Sequence, residues 1–120
     1  MKIKNWEIPA LILWMAMIFW FSSIPNLSSG LEEDFALRKL AHLFEYAVLA
    51  FLFFRVLSGK VKNFWSAFWG AIILSIIYAI TDEYHQTFVF GRSGEIKDVL
   101  IDSVGVFAGL ICSLLPRRLS

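Results

Sequence analysis

The run Thr81-Asp82-Glu83-Tyr84-His85-Gln86-Thr87 follows directly on a long apolar stretch. Two carboxylates, an imidazole and a carboxamide thus crowd the mouth of what otherwise reads as a membrane-spanning helix. Such groups take up protons, ligate metal ions, or hydrogen-bond amines and hydroxyls. Ionisable groups at membrane depth cost several kcal/mol each, so they face a bundle interior and mark a site.

Two further polar stripes fall at similar depth. In the segment 37–57, Lys39, His42, Tyr46 and Leu49 share one helical face at about 100° per residue, with Glu45 at its edge. His42 and Glu45 are therefore expected to avoid lipid, either as part of a site or as a buried pair tying helices together. On the third helix Ser75, Tyr78, Asp82, His85 and Gln86 recur at helical spacing. Asp82, His85 and Gln86 are expected to point the same way, with Glu83 about 100° round and facing a different partner. A solvated helix end is the alternative, and it accounts poorly for so dense a polar run.

The last apolar block carries Asp98, Asp102, Gly105 and Gly109 on one stripe. Gly105 and Gly109 form a GxxxG, which lets two backbones approach closely. By itself this motif signals packing. It also gives a direction: if the glycines press against the bundle, Asp102 faces the bundle too. Arg92, in the glycine-flanked loop above, is placed to neutralise carboxylates or to grip an anionic group.

The elements that must position these residues are read from composition. The chain of 120 residues is 58% hydrophobic, with twelve Phe and five Trp, and its mean hydropathy is +0.68. Four apolar blocks stand out, Ile8 to Ile24, Leu37 to Leu57, Phe64 to Ile80 and Val99 to Leu115, each about 17–21 residues and able to cross a bilayer. The expectation is an all-α integral membrane four-helix bundle in one domain over 1–120, with helices at about 8–24, 37–57, 64–86 and 98–115. Pro25 to Gly30, Ser58-Gly59-Lys60 and Gly91 to Gly94 supply turn chemistry between them. Short connections make sequential helices antiparallel neighbours. There is no internal repeat and no low-complexity tail.

Charge placement predicts topology. Lys2 and Lys4 precede the first block, Arg55, Lys60 and Lys62 lie around the second connection, and Arg117 and Arg118 close the chain. The first connection carries Glu32, Glu33 and Asp34, with Arg38 and Lys39 opening the next helix. By the positive-inside rule both termini and the 55–62 loop are cytoplasmic in the bacterial membrane, and the Asp82–His85 cluster faces out. Trp6 and Trp65 fall at inner boundaries and Trp20 at an outer one. The lone cysteine, Cys112, rules out an intramolecular disulfide and reads as a small packing residue. Residues 1–30 have a basic start and an apolar core but no Ala-x-Ala site, so the first block is expected to be retained.

These residues resemble the VanZ-like family of small bacterial membrane proteins. The likeness runs from Phe21-Ser22-Ser23 to about Gly109. It includes Arg38-Lys39-x-x-His42-x-x-Glu45-Tyr46, Thr81-Asp82-Glu83-x-His85-Gln86, Gly91-Arg92-x-Gly94 and Asp98-x-x-x-Asp102-x-x-Gly105. The resemblance implies membrane location, a four-helix form and a link to glycopeptide resistance, since the founding member is associated with reduced teicoplanin susceptibility. It implies no settled biochemical activity, and a housekeeping envelope role is equally compatible.

Three functional readings follow. The leading one is an envelope protein whose outer site recognises an anionic or amphiphilic molecule: a lipid-linked cell-wall intermediate, a phospholipid headgroup or the lipoglycopeptide itself. Its contacts would be Lys39, His42, Glu45, Tyr46, Asp82, Glu83, His85, Gln86, Arg92, Asp98 and Asp102. The second is an intramembrane hydrolase or transferase acting on an envelope lipid, with His42, Glu45, Asp82, Glu83 and His85 as catalytic candidates. These donors, with Asp98 and Asp102, would suffice for one divalent cation, or a histidine would serve as general base. No HExxH or GxSxG accompanies them. The third is a structural or regulatory membrane subunit whose polar stripes set helix register and dock a partner. A transporter would require an oligomer, since there are no paired broken helices. Nucleic-acid binding has no basic surface to support it.

Overall fold

The computed structural model describes residues 5–23, 33–88 and 96–114, with backbone alone for 33–38 and 96–98. It contains four helices, α1 (Glu7–Ser22), α2 (Glu33–Lys60), α3 (Phe64–Gln86) and α4 (Ile96–Ser113), and no strand among the described residues. Apolar sequence of this length becomes helical because a helix satisfies every internal backbone donor and acceptor within the segment. The expected all-α class and helix number hold.

The boundaries differ informatively. α2 begins at Glu33, so Arg38 and Lys39 lie inside it, and it runs on to Lys60. Ser58-Gly59-Lys60 therefore forms the last helical turn and not the turn itself. The chain breaks only at 61–63, where the Asn63 side chain caps α3 by accepting from the Trp65 and Ser66 amides at 2.8 and 3.4 Å. Two stretches, Lys39–Lys60 and Phe64–Gln86, are long and apolar enough to cross a membrane. Among the described residues the other two apolar blocks form shorter apolar helices, Glu7–Ser22 and Val99–Ser113. At 1.5 Å per residue α1 is about 24 Å long, less than the roughly 30 Å hydrocarbon layer. The Pro25–Gly30 turn and the Gly91–Gly94 loop lie outside the described residues.

α2 is the central element. It makes its largest interface with α4, packs on α3, and holds α1 against the pair. The glycine stripe of α4 explains the closeness: a Cβ on Gly105 would strike the Leu43 backbone, and one on Gly109 the Ala47 backbone. On α3, Ala67, Ala71, Ser75 and Ala79 form a buried small-residue stripe at four-residue spacing, which likewise allows close approach. The core is completed by Ile18, Tyr46, Leu49, Ala50, Val106 and Leu110.

The outward faces are apolar too, with Ile12 and Leu13 on α1, Ile73, Ile77 and Ile80 on α3, and Leu100, Val104 and Ile111 on α4 all exposed. Such an exterior suits lipid and would be a liability in water. Trp6, Trp20 and Trp65 are exposed as interfacial anchors would be. Cys112 is exposed as well, not packed as expected, because it lies off the Asp102–Gly105–Gly109 face that meets α2.

The N-terminal end of α1 holds an ion pair that composition did not signal. Arg55, expected as a loop charge, lies within α2 and donates to Glu7 Oε1 from Nη2 at 2.6 Å and from Nε at 3.1 Å. Glu7 is fully buried. The pair locks α1 to the far half of α2.

Four variants test these contacts. Gly109→Leu should force α2 and α4 apart and abolish the thermal transition of the purified protein in detergent. Gly70→Ala meets only the Leu57 Cδ1 at 3.0 Å, a flexible side-chain end, and should stay within about 1 kcal/mol of the parent. Arg55→Met alone should cost about 3–5 kcal/mol by stranding a buried carboxylate. The double variant with Glu7→Gln should regain most of that, as measured by the same melts.

Candidate functional site

All four helices bring polar side chains to the opposite end of the bundle: the last turns of α1 and α3, and the first halves of α2 and α4. This follows from antiparallel order, which places Ser22, Tyr46, Asp82 and Asp102 at comparable depth.

Asp82 is the most heavily bonded member. Its Oδ1 accepts from the Ser22 hydroxyl in a short hydrogen bond. Its Oδ2 accepts from Tyr46 Oη at 3.1 Å and from Gln86 Nε2 at 3.3 Å. Gln86, one turn on, also reaches the Ser22 hydroxyl at 3.4 Å. Asp82, Gln86, Ser22 and Tyr46 are all buried. One carboxylate thereby joins α1, α2 and α3.

His85 parts from Asp82 and Gln86, contrary to the expectation that all three point together. Its ring stacks on Phe19 at 4.4 Å, and its Nε2 lies 2.9 Å from the Ser23 hydroxyl. Three residues past Asp82 is about 60° off the same line, enough to turn the ring toward the end of α1. The Ser23 hydroxyl donates its one hydrogen to the Phe19 carbonyl at 2.9 Å, so the imidazole is the donor to Ser23. This contact clamps two helix ends and does not present an activated nucleophile.

The α2–α4 side has a different character. Asp102 is completely buried, and neither of its oxygens accepts a hydrogen bond from the protein. His42 Nδ1 stands 3.6 Å from Asp102 Oδ1 and 3.8 Å from Glu45 Oε2, ion-pair distances beyond hydrogen-bond range. The charges of Glu83, Asp82 and Glu45 all bear on Asp102, opposed by Lys39. Glu83 is buried as well. Among the described residues no three His, Cys, Asp or Glu side chains are gathered as a metal-holding group. Arg92 and the side chain of Asp98 lie outside the described residues.

Sequence reasoning missed Ser22, Ser23 and Phe19 as contributors. A signal was present, since the first apolar block ends in Phe21-Ser22-Ser23, but a serine pair at a helix end reads as a cap until a carboxylate is found beside it. It also missed the Trp14 indole donating to the Glu45 carbonyl at 2.8 Å and the Tyr78 hydroxyl donating to the Met15 carbonyl at 2.6 Å. Both stitch α1 to the bundle below the polar end.

Removing a donor to Asp82 should destabilise more than removing an isolated hydroxyl. Tyr46→Phe and Ser22→Ala should each cost about 1–3 kcal/mol in detergent melts, whereas Ser113→Ala, at a hydroxyl bonded only within its own helix, should change little.

Comparison with known proteins agrees with this architecture. A family model described as VanZ/LLP1 matches residues 8–117. The chain is 32% identical over 110 residues to the uncharacterized membrane protein YwnJ of Bacillus subtilis (strain 168), covering 83% of this chain and 72% of that protein. No solved structure matches it. The polar end and the glycine-lined α2–α4 contact both fall within the matched span, and the chain belongs to the VanZ/LLP1 family.

Proposed function

We propose that this chain is a multi-pass protein of the bacterial cytoplasmic membrane whose outward-facing polar end binds the headgroup of an amphiphilic envelope molecule. The observation that carries the reading is the convergence of buried polar side chains from all four helices at one end of a bundle with an apolar exterior. Buried polar groups are expensive in such a setting, and their concentration at one end is more than helix registry needs. An amphiphile fits the surroundings: its chains lie along exposed faces such as Leu100, Val104 and Ile111, while its headgroup meets Lys39, His42, Glu45, Glu83 and Asp102. Asp82, saturated by donors, holds the frame. Arg92 and Asp98 would complete the rim. The resemblance to a family linked to glycopeptide susceptibility favours an amphiphile of the cell envelope, a lipid-linked wall precursor or the lipoglycopeptide itself.

Topology supports this orientation. Arg55 is taken up by Glu7, but in the sequence Lys2 and Lys4 precede α1, Lys60 and Lys62 end α2 and its connection, and Arg117 and Arg118 follow α4, a pattern that the positive-inside rule reads as cytoplasmic. The short α1 and α4 cross by local thinning of the bilayer, at a modest cost per Å.

Wild type and the variants His42→Ala and Glu45→Gln should be expressed in a teicoplanin-susceptible Gram-positive host, with membrane abundance quantified. Wild type should lower teicoplanin susceptibility and leave vancomycin susceptibility unchanged, and both variants should lose the effect at equal abundance. Protection that persists in both variants would reduce the polar end to helix packing.

A further inference from the structure

We propose that the group recognised at the polar end is a primary ammonium carried by a membrane amphiphile, held by the buried carboxylate of Asp102 with Glu45 and Glu83 around it. This deepens the headgroup-binding reading and rests on it. The first ground is charge. Among the described side chains of this end the carboxylates are Glu45, Asp82, Glu83 and Asp102, and the one permanent cation is Lys39. Such a balance favours a cationic guest over an anionic one.

The second ground is independent of the count. Asp82 and Asp102 sit in one bundle with opposite hydrogen-bond status. Asp82 accepts from three protein donors. Asp102 is wholly buried and accepts from none. It is also fixed in direction, because Gly105 and Gly109 on the same stripe hold α4 against the backbone of α2, so its oxygens aim at the α2 side of the site. A buried carboxylate without a donor is a rarity that calls for an explanation. The missing partner must supply N–H or O–H groups and positive charge.

An ammonium group does both, with three donors and no acceptor. A phosphate would bring further acceptors toward a group made of acceptors. A quaternary choline nitrogen carries charge but no hydrogen to donate. Access lies along α2, where the His42 and Glu45 side chains are each 16% exposed in front of the enclosed Asp102. Asp102 is six residues into α4, about 9 Å from its start, a depth that an amine on a lipid headgroup reaches from the interface.

The test uses the full-length protein purified in detergent and titrated with dioleoyl phosphatidylethanolamine, phosphatidylcholine, phosphatidylglycerol and dodecylamine. The ethanolamine lipid and dodecylamine should bind more tightly than the choline and glycerol lipids. Tight dodecylamine binding with weak ethanolamine-lipid binding would identify an amine without a neighbouring phosphate as the source. D102N should reduce affinity for the primary amines by about tenfold or more, with its melting temperature and its glycerol-lipid affinity retained. E45Q should act in the same direction, and it decides the matter if D102N does not fold. Binding without headgroup preference, or a preference intact in a folded variant, would overturn the ammonium assignment and leave the amphiphile reading standing. Failure of every probe to bind would remove both.

Discussion

In an apolar surround the carboxylate of Asp82 has to find its donors within the chain, and it finds them on α1, on α2 and one turn along its own helix. That requirement sets much of the polar end. Ser22 has to be the last residue of α1, Tyr46 has to be buried in the first half of α2, and α3 has to stay helical through Gln86. A hydrogen-bonded carboxylate linking three helices also fixes their relative height, which packing of interchangeable apolar side chains does not. Tyr46 shows the division of labour: its ring is part of the hydrophobic core, and its hydroxyl reaches the polar centre.

Around this centre the remaining contacts set the spacing. The glycines of α4 bring its backbone onto that of α2, so Asp102 arrives where a larger residue would have held it away. The Glu7–Arg55 pair ties α1 to α2 at the other end of the bundle. The two ends thus differ in kind. One is closed by an ion pair in which the Arg55 guanidinium meets one oxygen of Glu7. Among the described side chains the second gathers more carboxylates than permanent cations and leaves Asp102 without a donor. This asymmetry is why the proposed headgroup site is set on the α2–α4 side of the polar end.

Much of this was legible in the residues. Four apolar blocks joined by short polar connections dictate helices, because backbone groups in lipid have no other way to be satisfied. Helical periodicity put Tyr46 and Leu49 on one inward face of α2, and the GxxxG gave the direction of Asp102. Where periodicity misled, a local contact had outweighed it. His85 turned to Phe19 and Ser23, and Ser58-Gly59 stayed helical because Asn63 supplied the next cap.

By itself, then, the chain determined its fold class, its helix order and which residues are too polar for lipid, since these depend on composition and on a repeat of 3.6 residues. Only the tertiary structure decided which polar groups meet: that Ser22 serves Asp82, that Arg55 belongs to Glu7, and that Asp102 is enclosed without a donor. The first two pairings join residues 60 and 48 positions apart, and Asp102 faces His42 across a stretch of chain that includes all of α3. Local periodicity carries no information about such distances. They are settled by how closely two backbones can approach, and here that is set by the absence of a Cβ at Gly105 and Gly109.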